Sequence, residues 1–142
     1  MDLEHLGDRA QISDVIIRYS EALNRADWEA WTACFTPGAS VDYTTAGGIA
    51  GTPTEAVAWL SSTLAMFDMR IGRVANILIT VDGPDRATST SQYSMTMRIP
   101  AQAEGGQPTY IEAAGWYDDM FERTADGWRI SRRYERLAYM KM

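Results

Sequence analysis

Two hydrophobic periods divide this chain of 142 residues. From Asp8 to Asn24 the apolar side chains Ile12, Val15, Ile16, Tyr19, Ala22 and Leu23 recur at helical spacing, which predicts a helix with one buried face. Arg25-Ala26-Asp27 interrupts it. Asp27 can cap a second helix that carries Trp28, Trp31 and Phe35 on one side, and Pro37-Gly38 predicts its end. Ser40 to Tyr43 reads as a short strand. Thr44 to Gly51 is rich in glycine, lacks a phosphate-loop pattern and is expected to be a plain connection. A third helix should start at Thr52, with Pro53 at its first position and Glu55 completing a capping box. Val57, Leu60 and Leu64 predict its buried face, with fraying near Met66 to Asp68.

Beyond this the period changes to two. Arg73 to Val81, Arg86 to Arg98, Tyr110 to Arg123 and Trp128 to Met140 all read as strands. Asp82-Gly83-Pro84-Asp85 and Ala125-Asp126-Gly127 predict hairpin turns, and Pro100 to Pro108 is the longest loop. Three helices followed by four long strands imply an α+β fold, with helices on one face of an antiparallel sheet. The length fits a single domain over residues 1–142.

Composition narrows the function classes. A net charge of −6 with scattered arginines argues against nucleic acid as a partner, because phosphate binding needs clustered Lys and Arg. No apolar run is long enough to span a bilayer, and MDLEHLGDRAQ is too acidic and polar for a signal peptide. A cytoplasmic protein is the expectation. One cysteine, Cys34, rules out an intramolecular disulfide and a cysteine-rich metal site. Eight Met, five Trp and seven Tyr are enough to fill a core and also to line a cavity for a small hydrophobic molecule.

Four segments carry a resemblance, in this order: RYSEALNRADWEAWTACFTPGASVDY, GTPTEAVAWL, RVANILITVDGPDRATSTSQY and GWYDDMFERTADGWRISRR. Over nearly the whole chain they resemble the nuclear transport factor 2-like superfamily, in particular its SnoaL-like branch. The resemblance implies a cone-shaped fold, with three N-terminal helices packed on a curved antiparallel or mixed sheet around an apolar pocket. It also implies a homodimer through the outer sheet face. The family includes dehydratases, dehydrohalogenases, ketosteroid isomerases, polyketide cyclases, epoxide hydrolases and plain binding modules, so the fold alone does not give the function.

Family dehydratases pair a carboxylate at the end of the first helix with a histidine at the start of the first long strand. Here the first position is Asn24, and Met69 to Asn76 holds Arg73 but no histidine. The chain's one histidine, His5, lies in the N-terminal tail. Matched to ketosteroid isomerases, Tyr19 takes the place of an oxyanion-stabilising tyrosine and Asp119 that of a protonated carboxyl donor. The general base would come from SVDY, where Tyr43 takes the carboxylate's place and Asp42, one residue away, points to the opposite face.

Alternation puts Ala113, Gly115, Tyr117, Asp119 and Phe121 on one face, and the family pattern turns that face inward, toward Ser91, Tyr93 and Met95. Arg133 can reach the same space from the last strand. If it pairs with Asp119 it holds that carboxylate ionised, the reverse of the neutral-donor reading.

Three readings follow. One is an acid–base enzyme of isomerase, lyase or cyclase type, without metal or organic cofactor. In it Tyr19 and Asp119 are catalytic, while Asn24, Trp31, Tyr43, Arg73, Tyr93, Met95, Tyr117 and Arg133 bind substrate. The second is a non-catalytic binding module that keeps the pocket and has lost the histidine–carboxylate dyad. The third is an accessory subunit that lends its sheet face, with Tyr110 and Trp116, to a partner.

Overall fold

The computed structural model describes residues 3–142. Helix α1 spans Leu6–Arg25 and buries Ile12, Val15, Ile16, Tyr19, Ala22 and Leu23 along one stripe. It stops at Ala26, whose left-handed backbone (φ 54°) returns its N–H to the last turn. Helix α2 is a single turn, Trp28–Thr32, capped by the Asp27 side chain. The expected longer second helix is not formed. Phe35 instead opens strand β1, Phe35–Asp42, because the Cys34 carbonyl accepts from Ile130 N at 2.8 Å and commits the chain to the sheet. Pro37-Gly38 lies inside that strand, where the pairing with the last strand is interrupted between Phe35 and Ser40. A proline has no N–H for the ladder, so this is where it is tolerated.

A short turn, Thr44–Ala46, leads to strand β2, Ala50–Gly51, which pairs back onto β1. Helix α3, Pro53–Leu64, starts with the expected capping box between Thr52 and Glu55 and buries Ala56, Leu60 and Leu64, with Val57 half-buried. Four long strands follow: β3 (Met69–Asp82), β4 (Arg86–Ile99), β5 (Thr109–Thr124) and β6 (Gly127–Lys141). The sheet order is β2-β1-β6-β5-β4-β3, antiparallel except for the β1–β6 pair. Among the described residues no helix is long and apolar enough to cross a membrane.

Bulges curve the sheet. One lies in β3 near Asn76, which takes a positive φ of 50° and bonds Gln92 across the strands. Two lie in β6, after Ile130 and after Leu137. Each bulge shifts the alternation by one, so the inward residues of β6 are Trp128 and Ile130, then Arg133, Glu135 and Leu137, then Met140. The bent segment crowds β5: a Cβ on Gly115 would lie 2.1 Å from the Arg136 carbonyl oxygen, so only glycine fits there.

Ile12, Ile16, Trp31, Phe121, Trp128 and Ile130 fill one end of the inner face. The outer face leaves Ile71, Leu78, Tyr110 and Met120 exposed, and Trp116 half-buried under the Arg136 guanidinium.

Candidate functional site

At the other end the helices stand away from the sheet and leave a cavity of about 340 Å³. Its walls are apolar: Leu23 from α1, Leu60 and Leu64 from α3, Met95 and Met97 from β4, and Ile111 and Ala113 from β5. Ala46 and Gly47 also line it, so the Thr44–Gly51 loop, expected to be a plain connection, forms part of the wall.

Four tyrosines face this space. Tyr19 and Tyr43 share a hydrogen bond between their hydroxyls. Tyr93 and Tyr117 stack at 4.6 Å between ring centres. The Tyr93 hydroxyl is buried with no partner at ordinary hydrogen-bond distance, but the Glu135 carboxylate is near enough to act on it. Burial, then the Glu135 carboxylate, raises Tyr93 well above the usual phenol range. Burial likewise raises Tyr19, against the opposing Arg133 charge, and raises Tyr43 and Tyr117 further. All four therefore carry their protons at neutral pH and can donate.

Glu135 is the one ionisable side chain other than tyrosine in the lining. Burial raises its carboxyl above the ordinary value, opposed by Tyr93 and by the charge of Arg133. Arg133 pairs with Val41 across the parallel β1–β6 ladder, so Tyr43 and Glu135, each two residues on, continue the same two inner rows. A carboxyl group does face this space, from β6 and not from β1. Asp42 itself faces away and accepts from Thr44 N and Oγ1 at 2.9 and 2.6 Å.

Asp119 and Arg133 lie beneath the cavity and outside its lining. Their side chains are fully buried, and both carboxylate oxygens accept from the guanidinium, at 2.8 Å from Nε and 2.6 Å from Nη2. Burial raises the Asp119 carboxyl and Arg133 opposes that rise. Asp119 in turn reinforces the charge on Arg133 against its own burial. A guanidinium does not give up its proton, and the doubly bonded pair is ionic. The neutral-donor role for Asp119 therefore does not fit. The Arg133 guanidinium lies 4.0 Å from the ring centres of both Tyr19 and Tyr117, a cation held between two cavity walls.

The structure thus gathers Tyr19, Tyr43, Tyr93, Met95 and Tyr117 around one space. Three other expected site residues stand elsewhere. Trp31 is fully buried behind Tyr19, packed on Phe35 at 4.5 Å. Arg73 is exposed on the outer sheet face, because alternation along β3 turns its neighbours Gly72 and Val74 inward. Asn24 spends its side-chain amide on the backbone of one residue, donating to Gly72 O at 3.0 Å and accepting from Gly72 N at 2.7 Å. His5 bonds Asp8 at the start of α1, outside the cavity lining.

Sequence reasoning missed Glu135, although a signal existed. Once Arg133 is placed inward, period two puts Glu135 and Leu137 on the same face. Both bulges lie outside the stretch from Arg133 to Leu137, so the alternation there is intact. Among the described residues no cluster of His, Cys, Asp and Glu could hold a metal ion.

Comparison with known proteins agrees with this architecture. The model of the SnoaL-like domain matches residues 4–134. The uncharacterized protein Rv2910c of Mycobacterium tuberculosis (strain ATCC 25618 / H37Rv) is 31% identical over 142 residues, covering 100% of this chain and 93% of that protein. Among solved structures, the Kfla4162 protein from Kribbella flavida superposes with a TM-score of 0.85 at 26% identity, over 99% of this chain and 95% of that one. Hexachlorocyclohexane dehydrochlorinase LinA-type3 from Novosphingobium barchaimii LL02 has a TM-score of 0.81 at 19% identity, over 99% and 93%. The chain belongs to the SnoaL-like family and has its α+β, nuclear transport factor 2-like fold.

Proposed function

We propose that this protein is an acid–base enzyme, needing no cofactor, that acts on a compact, uncharged, largely apolar substrate by isomerisation, elimination or ring closure. The observation that carries this reading is Glu135, a raised carboxyl alone among tyrosines in an otherwise apolar cavity. A carboxyl raised by burial is a stronger base than an ordinary one and works closer to neutral pH.

The proposed steps use only groups around the cavity. Glu135 takes a proton from a C–H bond of the substrate. The electron pair left behind moves toward an electronegative atom, commonly a carbonyl oxygen. That oxygen sits against the Tyr19–Tyr43 pair. Two hydroxyls that share one hydrogen bond leave one hydrogen unused, so whichever donates, the other can serve the substrate. Arg133 behind the Tyr19 ring favours the same negative charge. Glu135 then returns the proton to another carbon or to a leaving group. The apolar walls keep water from levelling these effects.

Screening uncharged cyclic ketones and hydroxyketones, followed by kinetics, tests the reading. With a substrate in hand, Glu135→Gln should lower turnover by about 10²- to 10⁴-fold. Tyr19→Phe combined with Tyr43→Phe should cost roughly 10²-fold, as loss of the donor to a developing oxyanion does, because either hydroxyl alone can still donate. Full turnover by Glu135→Gln would end it.

A second reading is favoured by a separate observation: both positions of the family's dyad are lost, and Asn24 is tied to the backbone. The same cavity would then only store or present a ligand. In that case a bound ketone raises the melting temperature and is recovered chemically unaltered.

A further inference from the structure

Strand β1 stops pairing with β6 at Asp42 opposite Tyr134, one residue short of Glu135. Beyond that point the chain turns away to form the cavity wall, which leaves the β6 edge open where the proposed base sits. Two backbone groups point to that edge, the Glu135 carbonyl and the Leu137 N–H. A third residue fills the gap with one side chain. The Thr45 hydroxyl donates to Glu135 O at 2.7 Å and accepts from Leu137 N at 2.9 Å.

This is the pattern of a parallel ladder. There, one residue donates to the carbonyl of residue i−1 and accepts from the N–H of residue i+1. Thr45 does the same around Arg136 with a single hydroxyl, so a side chain replaces a backbone rung. On its other edge the same segment pairs Glu135 with Tyr117 and Leu137 with Gly115. The segment also lies between the two bulges of β6, after Ile130 and after Leu137, where a strand is least constrained by its own regularity.

We propose that Thr45 is a positioning residue for Glu135: by completing the ladder with its hydroxyl, it holds the carboxyl at a fixed height over the cavity while the loop that bears it is free to form the wall. The proposal rests on the reading of Glu135 as the proton acceptor. It also explains why the loop can leave the sheet at Tyr43 without freeing β6. Without the hydroxyl, a carbonyl and an N–H at the edge would turn to water, and the segment would relax between its bulges.

The groups that face Glu135 are Tyr93 from β4, Tyr117 from β5, Arg133 from β6 itself, Tyr19 from α1 and Tyr43 at the end of β1. A shift of its backbone changes its distance to all of them, so its titration reports its position.

The test uses the full chain with ¹³C-labelled glutamate side chains, the Glu135 signal being assigned by its loss in Glu135→Gln. Thr45→Val keeps the shape and removes the hydroxyl; Thr45→Ser keeps the hydroxyl. The expected result is that Thr45→Val moves the Glu135 titration midpoint by about half a pH unit or more, while Thr45→Ser leaves it at the parent value. With a substrate in hand, Thr45→Val should lower kcat by roughly tenfold to a hundredfold with little change in KM, and Thr45→Ser should restore it.

An unchanged Glu135 titration in Thr45→Val, in a protein that melts at the parent temperature, overturns the proposal. So does an equal shift in both variants, because the hydroxyl would then be irrelevant. The catalytic reading fails separately: Thr45→Val would move the titration while Glu135→Gln kept full turnover.

Discussion

Asp119 and Glu135 lie on neighbouring strands, both turned to the inner face, and burial raises both carboxyls. Their surroundings differ. Asp119 has a guanidinium bonded to each oxygen and no access to the cavity. Glu135 lines the cavity, where the Tyr93 hydroxyl and then the Arg133 charge oppose its rise, and no guanidinium is bonded to it. One carboxyl is a partner in a buried ion pair; the other, two residues beyond that partner on the same strand, faces the cavity and is the proposed base. What separates them is whether a partner cation meets the carboxyl or stops short of it.

Removing that cation should produce the largest effect. Arg133→Met leaves the Asp119 carboxylate buried with no counter-charge, and unfolding in urea should show a loss of about 3–5 kcal/mol. Replacing both partners together, Asp119→Leu with Arg133→Met, should recover most of it, since a buried pair is often matched by apolar residues of similar volume. A double variant as unstable as the single one would mean that the pair matters through its shape and not its charge. The comparison with Glu135 would then lose its basis.

A smaller effect is expected where β5 gives way to the Glu135 segment. Gly115→Ala puts a methyl group 2.1 Å from the Arg136 carbonyl oxygen, and backbone cannot rotate aside as a side chain can. Overpacking of this kind costs about 1–3 kcal/mol. The strand most able to yield is the bulged β6, so the variant should also disturb the Glu135 titration while leaving the Asp119–Arg133 pair intact. A loss of stability with both carboxyls undisturbed would show that the strain is taken up elsewhere.

The long strands, the α3 capping box and the alternation along β5 were legible in the sequence because each depends on local period or local chemistry, while the choice of which β5 face turns inward rested on the resemblance. The short α2 was not. Trp28, Trp31 and Phe35 fit a helical spacing, but the ladder bond from Ile130 to Cys34 decides the outcome, and it is made from a residue 96 positions away. Arg73 was misplaced for the opposite reason. The resemblance suggested a role, whereas plain alternation along β3 turns it outward. An amide at Asn24 cannot replace a carboxylate as a base, but its bond to Gly72 is a pairing of distant segments that no local pattern announces. Glu135 follows from the alternation that turns Arg133 inward, since neither bulge falls between the two, but the last segment that carries the resemblance ends at Arg133.

The smallest expected effect concerns Glu135 itself, and its sign matters more than its size. Its folded carboxyl is raised above the value it has in the unfolded chain. The folded state therefore holds the proton more tightly than the unfolded state. The stability this contributes is fully present below the ordinary glutamate range and is lost as pH rises through the raised value. At neutral pH the charged carboxylate weakens the fold slightly. Glu135→Gln is neutral at every pH, so relative to the parent it should gain stability as pH rises from about 4 to 8, by no more than about 1 kcal/mol. Urea unfolding at several pH values reads this directly. A loss at neutral pH would reverse the sign and mean that the ionised carboxyl is held by a favourable partner. Glu135 would then behave as Asp119 does, and a group so held would make a weak base.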